Sequence, residues 1–237
     1  MIKKILFILL FIGTTSIYSQ NKNDLVSHYE AYYKQMRLQG DIQGIIDAIT
    51  HLNILSPSQA RKDTLAYLYA NGGRHLQALN TIGIERADSD SDLAIEVKAV
   101  SLKSLNQPKR SLEQYEALFI RKSNPFIAYE IADLKLQLGD VAGSNEKIAY
   151  GIQNATDDMK YAYYESQNPY EVPIKAGFMY LKGLATYNAN KEDIDAAVAI
   201  MDEALKIAPN FNLAVISKQA LLNRKKGVEK TTEETKQ

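Results

Sequence analysis

Apolar residues recur at helical spacing through most of the chain, in paired runs separated by short polar turns. "LQGDIQGIIDAI", "ANGGRHLQALNTI", "SLNQPKRSLEQY" and "LQLGDVAGSNEKI" are four versions of one turn followed by one apolar periodic run. Gly40, Gly73, Asn106 and Gly139 occupy the turn, each 33 residues after the last. Upstream of each turn lies another helical pattern, for example Leu65, Leu68 and Tyr69 before Gly73, or Ile131, Leu134 and Leu138 before Gly139. The predicted unit is therefore helix, turn, helix, with Gly or Asn in the left-handed conformation that closes a helix without a Cβ penalty. Its starts carry capping residues: Ser56 with Pro57 and Gln59 reads as a capping box, and Asn124 precedes Pro125 in the same manner.

Such a unit cannot bury both apolar faces alone, so neighbours must stack. The predicted fold is all-α, a right-handed α-solenoid of helix-turn-helix repeats. Small residues recur where helices would come closest: Ala66 and Ala78, Ala99 and Ser111, Ala132 and Ser144. The boundaries are repeats at about 24–56, 57–89, 90–123 and 124–155, an insertion at 156–172, a repeat at 173–209, a capping helix at 210–227 and a disordered tail at 228–237.

The stretch "YLKGLATYNANKEDIDAAVAIMDEALKIAP" resembles the tetratricopeptide repeat (TPR) family. Ala197, Ala204 and Pro209 keep its spacing of small residue, small residue and closing proline, and Tyr187 stands near its usual aromatic position. Gly40, Leu52 and Pro57 repeat that spacing in the first unit. The resemblance spans most of Leu25 to Gly227 and implies a scaffold that holds a protein or peptide in a concave groove. An ankyrin arrangement shares the 33-residue period, but "LSPS" is too short for the β-hairpin between its units and no "TPLH" occurs.

From Gly139 to Glu192, the equivalent position in the fifth unit, the distance is 53 residues, one period plus 20. The surplus contains "YAYYESQNPYEV", where Tyr161, Tyr163 and Val172 alternate around a "SQNP" turn, which predicts a short β-hairpin. Two roles stay open for Tyr161, Tyr163, Tyr164 and Tyr170: an aromatic recognition surface, or a seal over the ends of units four and five.

Laying the units over one another in the family's frame places Glu30, Asp63, Glu96 and Tyr129 at equivalent groove positions, with Leu181 beyond the insertion. Tyr67, Glu130 and Asp133 fall close by, and Lys34 and Arg37 neighbour Glu30. An acidic stripe of this kind favours a basic or donor-rich peptide.

The formal net charge is zero, so nothing in bulk electrostatics points to nucleic acid. With no cysteine in the chain, disulfides, thiolate metal sites and a cysteine nucleophile are excluded. His28, His51 and His75 stand in different units, and "HExxH", "GxSxG" and phosphate-loop patterns are missing. Asp88, Asp90 and Asp92 alternate like the start of a calcium loop, but Leu93 replaces its glycine and Ala99 its closing glutamate. Asp90 or Ser91 reads instead as a helix cap. No catalytic residue, metal or cofactor is expected.

At the N-terminus "MIKK", the apolar run Ile5 to Ile12 and "GTTSIYS" read as a secretory signal over residues 1–19, cleaved after Ser19. Eight apolar residues fall far short of the roughly 20 that span a bilayer. The leader style, ending "YSQ", resembles exported proteins of the Bacteroidetes group. A periplasmic or secreted scaffold, with no transmembrane segment in the mature chain, is the resulting expectation. The alternatives are an assembly component docking through the tyrosine insertion, and an enzyme or carbohydrate-binding protein using groove carboxylates.

Overall fold

The computed structural model of the chain describes residues 21–234, with side chains to Gly227. The signal segment lies outside the described residues. Eleven helices and one hairpin follow in order: α1 (Lys22–Gln39), α2 (Ile42–Leu55), α3 (Gln59–Asn71), α4 (His75–Ile82), α5 (Asp92–Ser104), α6 (Pro108–Arg121), α7 (Pro125–Gln137), α8 (Val141–Asn154), β1 (Lys160–Tyr163), β2 (Tyr170–Pro173), α9 (Ile174–Ala189), α10 (Ile194–Ile207) and α11 (Asn212–Glu234). The two helices of each hairpin pack together, and each second helix packs against the helix that follows it, so contacts run from neighbour to neighbour as an α-solenoid requires.

The repeated turn has one physical cause. Gly40, Gly73, Asn106 and Gly139 all adopt positive φ, at 68°, 72°, 56° and 83°. Asn106 is the single non-glycine there, and asparagine is among the few side chains that tolerate this region. The small-residue pairs sit at 0% exposure in Ala66, Ala78, Ala99, Ser111, Ala132 and Ser144. Ser111 Oγ donates to the Ala99 carbonyl at 2.8 Å and Ser144 Oγ to the Ala132 carbonyl at 2.9 Å, which ties the two helices of a unit at their closest approach.

Several boundaries differ from the sequence expectation. The cap of α3 is Ser58, whose Oγ accepts from the Arg61 amide at 3.5 Å, and not Ser56. Pro57 thus precedes the helix. Asn124 does cap α7, accepting from the Ile127 amide at 3.0 Å, and Ser91 rather than Asp90 caps α5. Helix α11 continues to Glu234, past the limit of residue 227 expected for it, so residues 228–234 are helical instead of a disordered tail. Gly227 has no positive φ, and without a left-handed residue nothing stops the helix there.

Helix α4 has eight residues where the other second helices have 14, because Gly83 adopts φ 85° and ψ 163°, outside any helical region. The loop that follows is anchored from within. Lys98, 1% exposed, donates to Asp90 Oδ2 at 2.6 Å and to the Glu85 carbonyl at 2.7 Å. Asp90 Oδ2 also accepts from the Ala87 amide at 2.8 Å, and Arg121 holds the Asp90 carbonyl at 2.7 Å. The alternating aspartates therefore fold a loop.

The largest core lies at the C-terminal end. Phe178, Phe211, Ile174 and Val172 are fully buried there, together with Tyr163. A Cβ on Gly151 would fall 1.9 Å from Phe178 Cζ, so this glycine exists to seat the ring between α8 and α9.

Candidate functional site

The groove is built by α5 and α7, with α6 beneath them. Their facing surfaces enclose a cavity of about 390 Å³, lined by Glu96 and Val100 from α5, Tyr115 from α6, Phe126 and Glu130 from α7, and Tyr161 from the hairpin. Val100 and Phe126 leave 38% and 41% of their surface exposed, so its walls are apolar.

The hairpin closes one end of this groove. β1 and β2 pair antiparallel, with Tyr161 opposite Val172 and Tyr163 opposite Tyr170, as the alternation predicted. Tyr163 turns inward: its hydroxyl lies 2.6 Å from that of Tyr129, and its ring packs on Phe211 at 4.7 Å. Tyr161 packs on Tyr129 with ring centroids 4.3 Å apart and planes tilted by 41°, and donates its hydroxyl to Glu130 Oε1. Tyr170 accepts from the Leu213 amide at 3.1 Å at the start of α11 and donates to Glu165. Only Tyr164 of the four stands open to solvent, at 76%. Tyr129 and Leu181, placed in the groove by repeat register, are 4% and 1% exposed. Three inward rings make the insertion a seal and leave a blind-ended groove.

Charge in the groove is largely internally balanced. Lys103 donates to Glu130 Oε2 at 2.6 Å and Asp133 Oδ2 at 2.8 Å. Burial opposes the lysine's charge, but the two carboxylates outweigh it and hold its pKa above the ordinary value. Asp92 faces Arg121 at 3.5 Å. Glu96 has no ion pair among the described residues.

The acidic stripe is thus only partly realised. Asp63 is 4% exposed and accepts from Gln59 Nε2 at 2.8 Å and Ser91 Oγ at 2.6 Å, so it serves the joint between α3 and α5. Glu30 lines a separate cavity of about 400 Å³ with Lys34 and Arg61, without an ion pair to Lys34. Tyr67 is 43% exposed on α3 and borders neither cavity. Glu96, Glu130 and Tyr161 are brought together; Glu30, Asp63, Tyr67 and Tyr164 are not.

Sequence reasoning missed Val100, Phe126 and above all Tyr115. Tyr115 is 5% exposed, yet its hydroxyl makes no hydrogen bond among the described residues. It reaches the cavity floor, and burial first, then the fields of Glu130, Glu96 and Asp133, push its pKa up. The signal was present: the equivalent positions in the other units are Ile49, Ile82, Ile148 and Met201, so a phenol stands in an otherwise apolar column.

Among the described residues no group of three or more His, Asp or Glu is placed to hold a metal ion, and no helix is long and apolar enough to cross a membrane. No family model and no curated protein matches the sequence. Solved structures do. YrrB, a TPR protein with an unusual peptide-binding site, superposes with a TM-score of 0.65 at 18% identity, over 86% of this chain and 97% of its own. MamA aligns with a TM-score of 0.59 at 16% identity, over 78% and 92%. A MamA fragment from Desulfovibrio magneticus RS-1 gives 0.60 at 12% identity, over 80% and 98%. The fold is a TPR-type solenoid.

Proposed function

We propose that the protein is an exported, non-catalytic scaffold that holds a segment of a partner protein in the groove between α5 and α7. The observation that carries this reading is the cavity itself: apolar walls at Val100 and Phe126 stand exposed beside an unpaired Glu96 and a partnerless phenol. Exposed apolar area rimmed by oriented polar groups is what a peptide anchor requires. The likeness in fold to YrrB, itself a TPR protein with a peptide-binding site, supports it. The partner segment is donor-rich, matching the acidic side of the groove, and the leader-like N-terminal sequence supports an encounter in the periplasm or outside the cell.

Photo-crosslinking in intact cells tests this. A photoreactive phenylalanine analogue at position 100 captures a discrete partner band, and the same analogue at position 164 or 215 captures none. Capture at position 164 alone overturns the groove in favour of docking through the hairpin tip.

A further inference from the structure

We infer that the cavity between α5 and α7 receives one lysine or arginine side chain of the bound segment, its head group between Glu96 and the Tyr115 hydroxyl. This rests on the groove-binding reading and adds the chemical identity of the anchor.

Three independent features converge. The first is shape. Tyr161, fixed by Glu130 and packed against Tyr129, ends the groove, so an extended segment cannot run on over α9. About 390 Å³ leaves room for one long side chain together with the backbone that carries it.

Charge is the second. The carboxylates around the cavity are Asp92, Glu96, Glu130 and Asp133; the cations are Lys103, Arg121 and Lys122. Lys103 is held by Glu130 and Asp133, Arg121 by Asp92 and the carbonyl of Asp90, and Lys122 stands among the lining groups without an ion pair. One negative charge is left over, and Glu96 is the carboxylate that no cation holds. An anionic side chain is repelled here.

The third is the phenol. Isoleucine fills this position in three other units, so packing does not demand a hydroxyl. The hydroxyl opens into the cavity with no protein partner among the described residues, and a bound segment that shuts water out of the cavity must supply one or leave the group unsatisfied at a cost. A cationic N–H supplies that partner, since the phenol oxygen accepts while Glu96 neutralises the charge. The methylene stem of lysine or arginine covers Val100 and Phe126. An apolar side chain of the same length would cover the walls but strand both Tyr115 and Glu96 away from water.

The test uses the chain from Gln20 to Gln237 and five acetylated, amidated peptides of sequence Gly-Leu-Xaa-Leu-Gly, with Xaa arginine, lysine, norleucine, glutamine or glutamate. Methyl resonances of Val100 report binding. Arginine and lysine peptides are expected to bind about tenfold or more tighter than the norleucine peptide. Glu96→Gln abolishes that preference while leaving norleucine binding in place, and Tyr115→Phe weakens it. Equal affinity for norleucine and arginine, or a preference indifferent to Glu96→Gln, overturns the cation site and leaves the groove reading standing. Silence of Val100 toward all five peptides also overturns the cation site, and crosslinking at position 100 then decides separately on the groove.

Discussion

Removing a hydroxyl normally costs a protein something, but at Tyr115 it should not. The ring fills the floor beneath α5 and α7, whereas the hydroxyl bonds to nothing within the described residues. Tyr115→Phe is therefore expected to leave the unfolding free energy within ~0.5 kcal/mol of the parent, against the ~1 kcal/mol a satisfied hydrogen bond contributes. A larger loss in urea titration would show that the phenol serves the fold. Lys98 is the opposite case, a charge enclosed at 1% exposure whose counter-ion is Asp90. Asp90→Ala leaves that ammonium uncompensated and should cost ~3–5 kcal/mol, most of it recovered in the Asp90→Ala, Lys98→Met double variant. Chemical denaturation of the three chains measures both steps, and an uncorrected double variant sinks the argument. Residue identities were legible unevenly for a physical reason. Repeat register says which helix face a side chain occupies, but not what a distant loop brings to it, so Asp63 looks like groove until Ser91 arrives 28 residues later.

Elements were more legible than residues, because each turn repeats the same conformational demand and each hairpin the same period. The four left-handed turns and the tyrosine hairpin were all written in residue type and spacing. The direction in which the hairpin folds was not, since alternation defines two faces without saying which one meets the solenoid. That the seal faces inward has a consequence at high pH. Burial, the leading cause in every case, raises the pKa of Tyr129, Tyr161, Tyr163 and Tyr180, and pushes Tyr170 up to about 12. Unfolded tyrosine ionises near 10.0, so above that value the unfolded chain sheds protons the folded one keeps, and stability falls as pH rises toward the folded pKa values. Tyrosinate absorbance should climb together with loss of helical circular dichroism in one cooperative alkaline transition. A smooth rise in absorbance at constant helicity would mean the rings are not sealed. The same joint predicts that Gly151→Ala, which drives a methyl into Phe178, costs ~1–3 kcal/mol in thermal unfolding.

At the scale of the whole molecule the period was enough to announce a solenoid, while its groove ends at a place no periodicity marks. What sets that end is α11. Phe211, at 0% exposure, touches the rings of Tyr163, Tyr170 and Tyr180, and the Leu213 amide holds the Tyr170 hydroxyl. Lys218 reaches Asp202 at 2.5 Å, tying the same helix to α10. In a solenoid stability is passed between neighbours, so removing a cap should loosen the nearest units and fade with distance. A chain ending at Pro209 is expected to show faster amide exchange in the hairpin, α9 and α10, with α1, α2 and α3 protected as in the parent. Uniform acceleration would instead show one cooperative unit. Between these limits lies the groove, linked to α11 through the rings of Phe211, Tyr170, Tyr163, Tyr129 and Tyr161 and the Glu130 carboxylate. If the truncated chain loses its arginine preference while α5 and α7 stay protected from exchange, the hairpin is the route by which the cap shapes the pocket. Preference retained after truncation would show that α5, α6 and α7 build the pocket alone, with Tyr161 a bystander at its end.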